Sequence, residues 1–97
     1  MSPEKISSIL KKNSKQLRTQ FKVKKLFLFG STARGTAAKG SDIDLLVEFD
    51  TQIGLFEFFD LTKFLSLILK HRVDLVTRDA LHKWMIADIE RDSIRVA

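Results

Sequence analysis

The most informative stretch of this chain reads Gly30-Ser31-Thr32-Ala33-Arg34-Gly35 and continues, after five intervening residues, as Ser41-Asp42-Ile43-Asp44-Leu45-Leu46-Val47. The Gly-Ser pair follows an apolar run at residues 26–29, which predicts a strand that ends in a tight turn and leads into a short helix. The first backbone N–H groups of such a helix have no partner within the helix and attract anions. We therefore expect phosphate groups to bind at this turn.

A pair of carboxylates, Asp42 and Asp44, stands at the start of a second apolar run. Alternate side chains of a strand lie on one face, so both carboxylates point the same way, with their Cα atoms roughly 6.5 to 7 Å apart. Flexible carboxylates at that spacing can hold one hard cation or bridge two. The natural occupant of such a site is Mg²⁺.

A third acid, Asp74, lies inside a short apolar run at residues 73–76. A carboxylate buried there is costly without a charge partner or a metal, and three neighbouring carboxylates repel one another until a cation neutralises them. An Asp-x-Asp pair alone is more often a loop cap or a surface pair than a metal site. The preceding strand and turn, together with Asp74, favour the metal site.

Hydrophobic periodicity supplies the other elements. Ser2 and Pro3 form a typical helix start, and apolar residues then recur at helical spacing. Strands are predicted at 24–29, 42–49 and 73–76, and helices at 31–37, at 55–70 and after a capping Asp79. The predicted order is αβαβαβα, an α/β fold with a small mixed sheet and helices packed on it, formed by residues 1–97 as a single domain.

Composition limits the classes of protein to which the chain could belong. Its 97 residues include no cysteine, which fits a reducing compartment, and we expect the cytoplasm. No apolar stretch approaches the roughly 20 residues that span a bilayer, so we expect no membrane segment.

The net charge is +5. The Lys and Arg residues concentrate in residues 1–25. They form either a solvated helix face or a surface that attracts polyanions. Aromatic residues do not alternate with them, so we do not expect nucleic-acid binding.

The helix predicted at 55–70 is apolar on two sides. One side would pack on the sheet, and the other carries Phe56, Phe64 and Leu67. Two interpretations remain open for this second side: a closing helix containing Trp84 covers it, or it is a surface for a partner.

Other chemical motifs fit poorly. There is no Gly-x-Gly-x-x-Gly, and Gly30 to Gly35 lacks the Gly-Lys-Ser/Thr ending of a P-loop. Ser31 has no surroundings typical of a nucleophile. His71 and His82 have no other ligand-type residues at metal spacing, so we interpret them as surface or structural residues.

The pattern of Gly30-Ser31, ten residues, Asp42-x-Asp44 and then Asp74 resembles the DNA polymerase-beta-like nucleotidyltransferase superfamily. Within it, the short chain resembles the minimal nucleotidyltransferase (MNT) family, antitoxins encoded beside HEPN-domain ribonuclease toxins. The resemblance implies that Gly30 and Ser31 hold the triphosphate of ATP. It also implies that Asp42 and Asp44 bind two Mg²⁺ ions, with Asp74 as the third carboxylate and general base.

The resemblance further implies transfer of AMP to a hydroxyl, most simply a tyrosine, of the cognate HEPN toxin, within a hetero-oligomer. Arg34 either offsets charge on the β- or γ-phosphate or faces solvent. Two alternatives stay open: an antitoxin that acts by stoichiometric binding without catalysis, and the nucleotide-binding subunit of a small-molecule nucleotidyltransferase of the aminoglycoside-modifying type.

Overall fold

The computed structural model describes residues 2–30, 33, 42–78, 87, 89, 91 and 93–97. These residues form three helices and four strands that the structure delimits: α1 Pro3–Lys12, α2 Ser14–Thr19, β1 Val23–Phe29, β2 Ile43–Phe49, α3 Leu55–Leu69, β3 Val73–Thr77 and β4 Ile94–Arg95. The predicted short helix at 31–37 lies almost wholly outside the described residues, and so does Asp79. In the predicted closing helix, Ala87, Ile89 and Arg91 are described and have helical backbone.

One mixed sheet contains all four described strands, in the order β3-β2-β1-β4. Strand β1 is antiparallel to β2 and β4, whereas β2 and β3 run parallel. A parallel pair needs a crossover connection, and α3 provides it. The predicted mixed sheet with helices packed on it is therefore confirmed.

The amino-terminal helix differs from the prediction because it breaks at Asn13. The Asn13 side-chain amide donates a 2.8 Å hydrogen bond to the carbonyl of Ile9, four residues back, and its main-chain N–H donates to Leu10. These bonds satisfy carbonyls that α1 leaves unpaired at its end. A second short helix then carries Leu17 into the core.

Strand β4 is an addition to the predicted order. It consists of Ile94 and Arg95, which pair with Leu28 and Phe27 of β1. Two residues are too few for period-two alternation to reveal a strand. The next residue, Val96, is buried in the core.

The core lies between one face of the sheet and the described helices. Its buried members from the strands are Val23, Leu26, Leu28, Ile43, Leu45, Val47 and Leu75, and from the helices Ile6, Leu10, Leu17, Leu61, Leu65 and Leu69. The side of α3 predicted to pack on the sheet does so. None of the described helices is both long and apolar enough to cross a bilayer.

The second apolar side of α3 divides into two sets. Phe64 packs against the core, and its ring centroid lies 4.8 Å from that of Phe21. Phe56 and Leu67, in contrast, are exposed. Trp84, the proposed cover, lies outside the described residues.

Candidate active site

Two of the predicted acids lie side by side in the sheet. In the parallel register of β2 and β3, Asp44 is the partner of Asp74. Side chains in register on neighbouring strands share a face, and the strands lie roughly 4.8 Å apart. Asp44 is half-buried and Asp74 is exposed. Because Leu45 and Leu75, the next residues, point into the core, the two carboxylates occupy the opposite face of the sheet from α3.

The third acid, Asp42, lies just before β2 and makes an ion pair. The register of Ile43 with Val73 places Asp42 opposite Arg72, and Arg72 Nε lies 3.7 Å from Asp42 Oδ1. Both side chains are exposed, so the pair adds little stability. Its importance is electrostatic, because it puts a cation beside a predicted metal ligand.

Arg72 was not among the site residues predicted from the sequence. Its signal is the spacing: Arg72 precedes Asp74 by two residues, as Asp42 precedes Asp44. When β2 and β3 pair in parallel with Asp44 opposite Asp74, the equal spacing also places Asp42 opposite Arg72. The register itself cannot be derived from the spacing.

Gly30 closes the site on the side of β1. Phe29 is the register partner of Asp44, and Gly30 follows with φ +72°, a conformation that side chains rarely adopt. A Cβ at this position would overlap with Asp44 Oδ2 and lie 3.1 Å from Asp44 Cγ. Both the backbone conformation and the packing therefore require glycine. This places the predicted phosphate turn directly against the predicted metal ligand.

Two of the predicted site residues, Ser31 and Arg34, lie outside the described residues, and their predicted roles stay predictions. His82 also lies outside the described residues. His71 is described and half-buried, with its Nδ1 3.0 Å from the carbonyl oxygen of Leu69. This contact with the main chain fits a structural role for His71.

Carboxylate oxygens are the ligands that Mg²⁺ prefers, and this ion is commonly held by one or two carboxylates together with substrate phosphates. Asp44 and Asp74 supply such a pair. Among the described residues there is no group of three or more acidic, histidine or cysteine side chains placed to hold an ion. The observed ion pair of Asp42 with Arg72 fits this result, because that carboxylate is engaged elsewhere. The donor set therefore suits magnesium bound together with a nucleotide, provided that Asp42 releases Arg72.

Comparison with known proteins places this site in a family. The sequence profile of the nucleotidyltransferase domain matches residues 10–97. The protein adenylyltransferase MntA of Thermococcus cleftensis is 38% identical over 93 residues, which cover 96% of this chain and 94% of that protein.

Solved structures agree with this assignment. A protein assigned as a minimal nucleotidyltransferase superposes with a TM-score of 0.76 and 30% identity, covering 97% of this chain and 95% of its own. Two further structures share the fold at lower identity. One is a toxin-antitoxin structure with AMP-PNP, with a TM-score of 0.71, 24% identity and coverage of 100% and 73%. The other is a tri-AMPylated HEPN toxin of Shewanella oneidensis in complex with an MNT antitoxin, with a TM-score of 0.67, 21% identity and coverage of 95% and 71%.

The matched profile spans most of the chain, and residues 10–97 include Gly30, Asp42, Asp44 and Asp74. The chain therefore belongs to the nucleotidyltransferase domain family of enzymes.

Proposed function

We propose that this protein is an antitoxin that transfers AMP from ATP to a tyrosine hydroxyl of a cognate HEPN toxin and thereby silences it. The observation that carries the proposal is the pairing of Asp44 with Asp74 beside the glycine turn at Gly30. The relative from Thermococcus is a protein adenylyltransferase, and one structural neighbour is an antitoxin complexed with an AMPylated HEPN toxin. These relatives support adenine as the base and a protein as the acceptor.

The reaction joins the acceptor oxygen to the α-phosphorus of ATP and breaks the bond between that phosphorus and the oxygen that bridges to the β-phosphate. Pyrophosphate leaves, and the hydroxyl proton passes to a base. Asp74 is suited to accept this proton because it is exposed and lies beside Asp44. Gly30, Ser31 and Arg34 are proposed to hold the triphosphate. Gly30 would contribute its main-chain N–H, which has no side chain of its own beside it.

Asp42 and Asp44 are proposed to hold two magnesium ions, with Asp74 as a third carboxylate. When bound, magnesium supplies positive charge that neutralises the phosphates and makes the acceptor hydroxyl more acidic. The protein must first free Asp42 from Arg72, which at an exposed ion pair costs on the order of 1 kcal/mol or less.

The test uses the purified chain, ATP, magnesium and the HEPN protein encoded beside it. We expect intact-mass spectrometry to show added AMP on the HEPN protein, and Asp44→Asn to abolish the addition. Asp50→Asn is the matched control, because Asp50 is an exposed acid just beyond the far end of the same strand. Full AMP addition by Asp44→Asn would reject the proposed mechanism.

A second candidate function is neutralisation by binding alone. The exposed Phe56 and Leu67 favour it, because they offer a surface that does not involve the acids. An Asp42→Ala/Asp44→Ala double variant separates the two candidates in a toxicity assay. Protection that survives in the double variant favours binding, whereas lost protection favours catalysis.

We also propose a domain organisation, a cellular compartment and an assembly for this function. The described strands share one sheet and one core, which supports a single domain. Without cysteine the chain suits the reducing cytoplasm, where ATP is abundant, and a hetero-oligomer with the toxin is the proposed working form.

A further inference from the structure

An arginine, Arg72, lies among the three acids of the candidate site. Asp42 and Asp44 occupy alternate positions at the start of β2, and the same holds for Arg72 and Asp74 at the start of β3. The parallel register brings the two pairs together on the face of the sheet opposite α3. Three carboxylates and one guanidinium give the group a net formal charge of −2. A ligand that enters the site therefore meets Arg72 as well as the acids.

The main chain of Arg72 is held in place, whereas its side chain can move. The N–H of Ile43 donates a 2.9 Å hydrogen bond to the carbonyl of Arg72, which fixes this residue against β2. The Arg72 side chain is 89% exposed, and its Nε lies 3.7 Å from Asp42 Oδ1, which is longer than a hydrogen bond. Exposed ion pairs of this kind are weak. The guanidinium can therefore leave Asp42 for a stronger acceptor.

The two residues before Arg72 are placed differently. Lys70 is the C-cap residue of α3, with a left-handed backbone, and His71 Nδ1 lies 3.0 Å from the carbonyl oxygen of Leu69. Both residues thus belong to the end of the helix. The ion pair with the acid of the site is made by Arg72.

The triphosphate of ATP, which the proposed function brings to this site, is a stronger acceptor than Asp42. A guanidinium binds phosphate oxygens through paired, charge-assisted hydrogen bonds. The turn at Gly30, where phosphates are proposed to bind, packs directly against Asp44. Asp44 is two residues from Asp42, a step of roughly 6.5 to 7 Å along a strand. An arginine side chain can swing over that distance without a change in its main chain.

We propose that Arg72 moves from Asp42 to the phosphates when ATP binds, and that this exchange couples nucleotide binding to metal binding. Without nucleotide, Arg72 competes with a metal ion for Asp42. With nucleotide, phosphate oxygens become the partners of Arg72, and Asp42 is released. Coupling between two ligands is reciprocal, so bound metal raises the affinity for nucleotide by the same factor.

This inference rests on the proposed function for the identity of the nucleotide. It goes beyond that function because it makes Arg72 a nucleotide-binding residue and explains how the site discriminates against metal without nucleotide. The protein then takes up the two ligands together and leaves its acids paired while ATP is absent.

The test measures binding by the full chain without toxin, so that AMP transfer plays no part. The probes are Mn²⁺ and α,β-methylene-ATP, in which the bond between the α- and β-phosphates resists cleavage. Arg72→Gln should bind Mn²⁺ alone up to about fivefold more tightly, because an exposed competitor is gone. It should bind the analogue in EDTA about threefold or more less tightly, because a charge-assisted contact is lost. A purely structural role would weaken both affinities together.

The coupling follows from the affinity for the analogue with and without saturating Mn²⁺. The metal should raise the affinity of the parent by up to about fivefold more than that of Arg72→Gln. Arg72→Lys keeps the positive charge and should keep most of the coupling. Arg78→Gln is the matched control, because Arg78 Nε also lies 3.7 Å from a carboxylate oxygen, that of Glu48, at the far ends of the same two strands. It should leave all these affinities unchanged.

Thermal melting checks that each variant folds, as expected for a change at the exposed Arg72. Shifts of the same sign in Arg72→Gln, or a change in fewer than both affinities, would overturn the inference even if the protein transfers AMP to its toxin. The expected opposite shifts without AMP transfer would support the inference and remove the proposed reaction. A parent chain that binds no nucleotide would overturn both.

Discussion

Asp44 and Asp74 are 30 positions apart in the chain and direct partners in the sheet. Neighbouring like charges on adjacent strands disfavour each other, so the pair is a structural cost unless it binds something positive. The proposed chemistry rests on this relationship, because it sets two carboxylates that can accept protons or bind cations side by side.

Asp74→Asn should lower the rate of AMP transfer by about 100-fold or more, because an amide cannot accept the hydroxyl proton. Nucleotide binding should change by only a few fold, since Asp42 and Asp44 remain. Single-turnover kinetics and a separate nucleotide titration measure the two effects. Asp60→Asn, at an exposed acid on α3, is the control and should leave both values unchanged.

Gly30→Ala should destabilise the fold and disable the site, because the new Cβ needs the space that Asp44 occupies. The positive φ alone costs on the order of 1 to 2 kcal/mol, and the overlap adds to this. Chemical denaturation measures the loss. Gly54→Ala is the matched control: its φ is −76°, and the nearest atom to a new Cβ lies 3.7 Å away, so the change should cost little. Equal losses in both variants would contradict the assigned role of Gly30.

Arg72→Gln should strengthen the binding of Mn²⁺ in the absence of nucleotide, because the guanidinium no longer competes for Asp42. Exposed ion pairs contribute roughly 0.2 to 1 kcal/mol, so we expect a gain of about fivefold at most. Titration of Mn²⁺ followed by electron paramagnetic resonance measures it. Arg18→Gln, at an exposed cation on α2, should leave the affinity as it was. Unchanged affinity in Arg72→Gln would show that the ion pair does not restrain Asp42.

Leu65→Ala and Leu67→Ala should differ sharply although the two leucines lie two residues apart on α3. Leu65 is fully buried, so its truncation should cost about 2 to 5 kcal/mol of unfolding free energy. Leu67 is exposed, and its truncation should change stability by roughly 0.5 kcal/mol or less. Denaturant titrations of both variants provide the comparison. A large loss in Leu67→Ala would mean that this exposed side chain is needed for folding.

The sequence predicted the central elements well because each has a strong local pattern. The observed bounds of β1, β2, α3 and β3 lie within one residue of the predicted ones. The break at Asn13 was missed because apolar residues continue at helical spacing across it, and α1 ends through hydrogen bonds of Asn13 to Ile9 and Leu10 that no sequence pattern reveals. Strand β4 was missed because it is formed by pairing with β1 and has no pattern of its own.

The site was predictable in part for the same reason. The spacing of Asp42, Asp44 and Gly30 is local, so the sequence pattern alone indicates that these residues belong together. The neighbour of Asp44 depends on register, which is a property of two strands and the crossover between them. Similarly, Phe56 and Phe64 look alike in the sequence, but contact with Phe21 draws only Phe64 into the core.

The crossover through α3 also has a consequence for biosynthesis. Strand β2 leaves the ribosome well before β3, so a growing chain contains Asp44 without the carboxylate that completes the pair. A nascent or truncated product that stops before Val73 would therefore be unable to form this anionic pair. The proposed active site can therefore form only after β3 has been synthesised and has paired with β2.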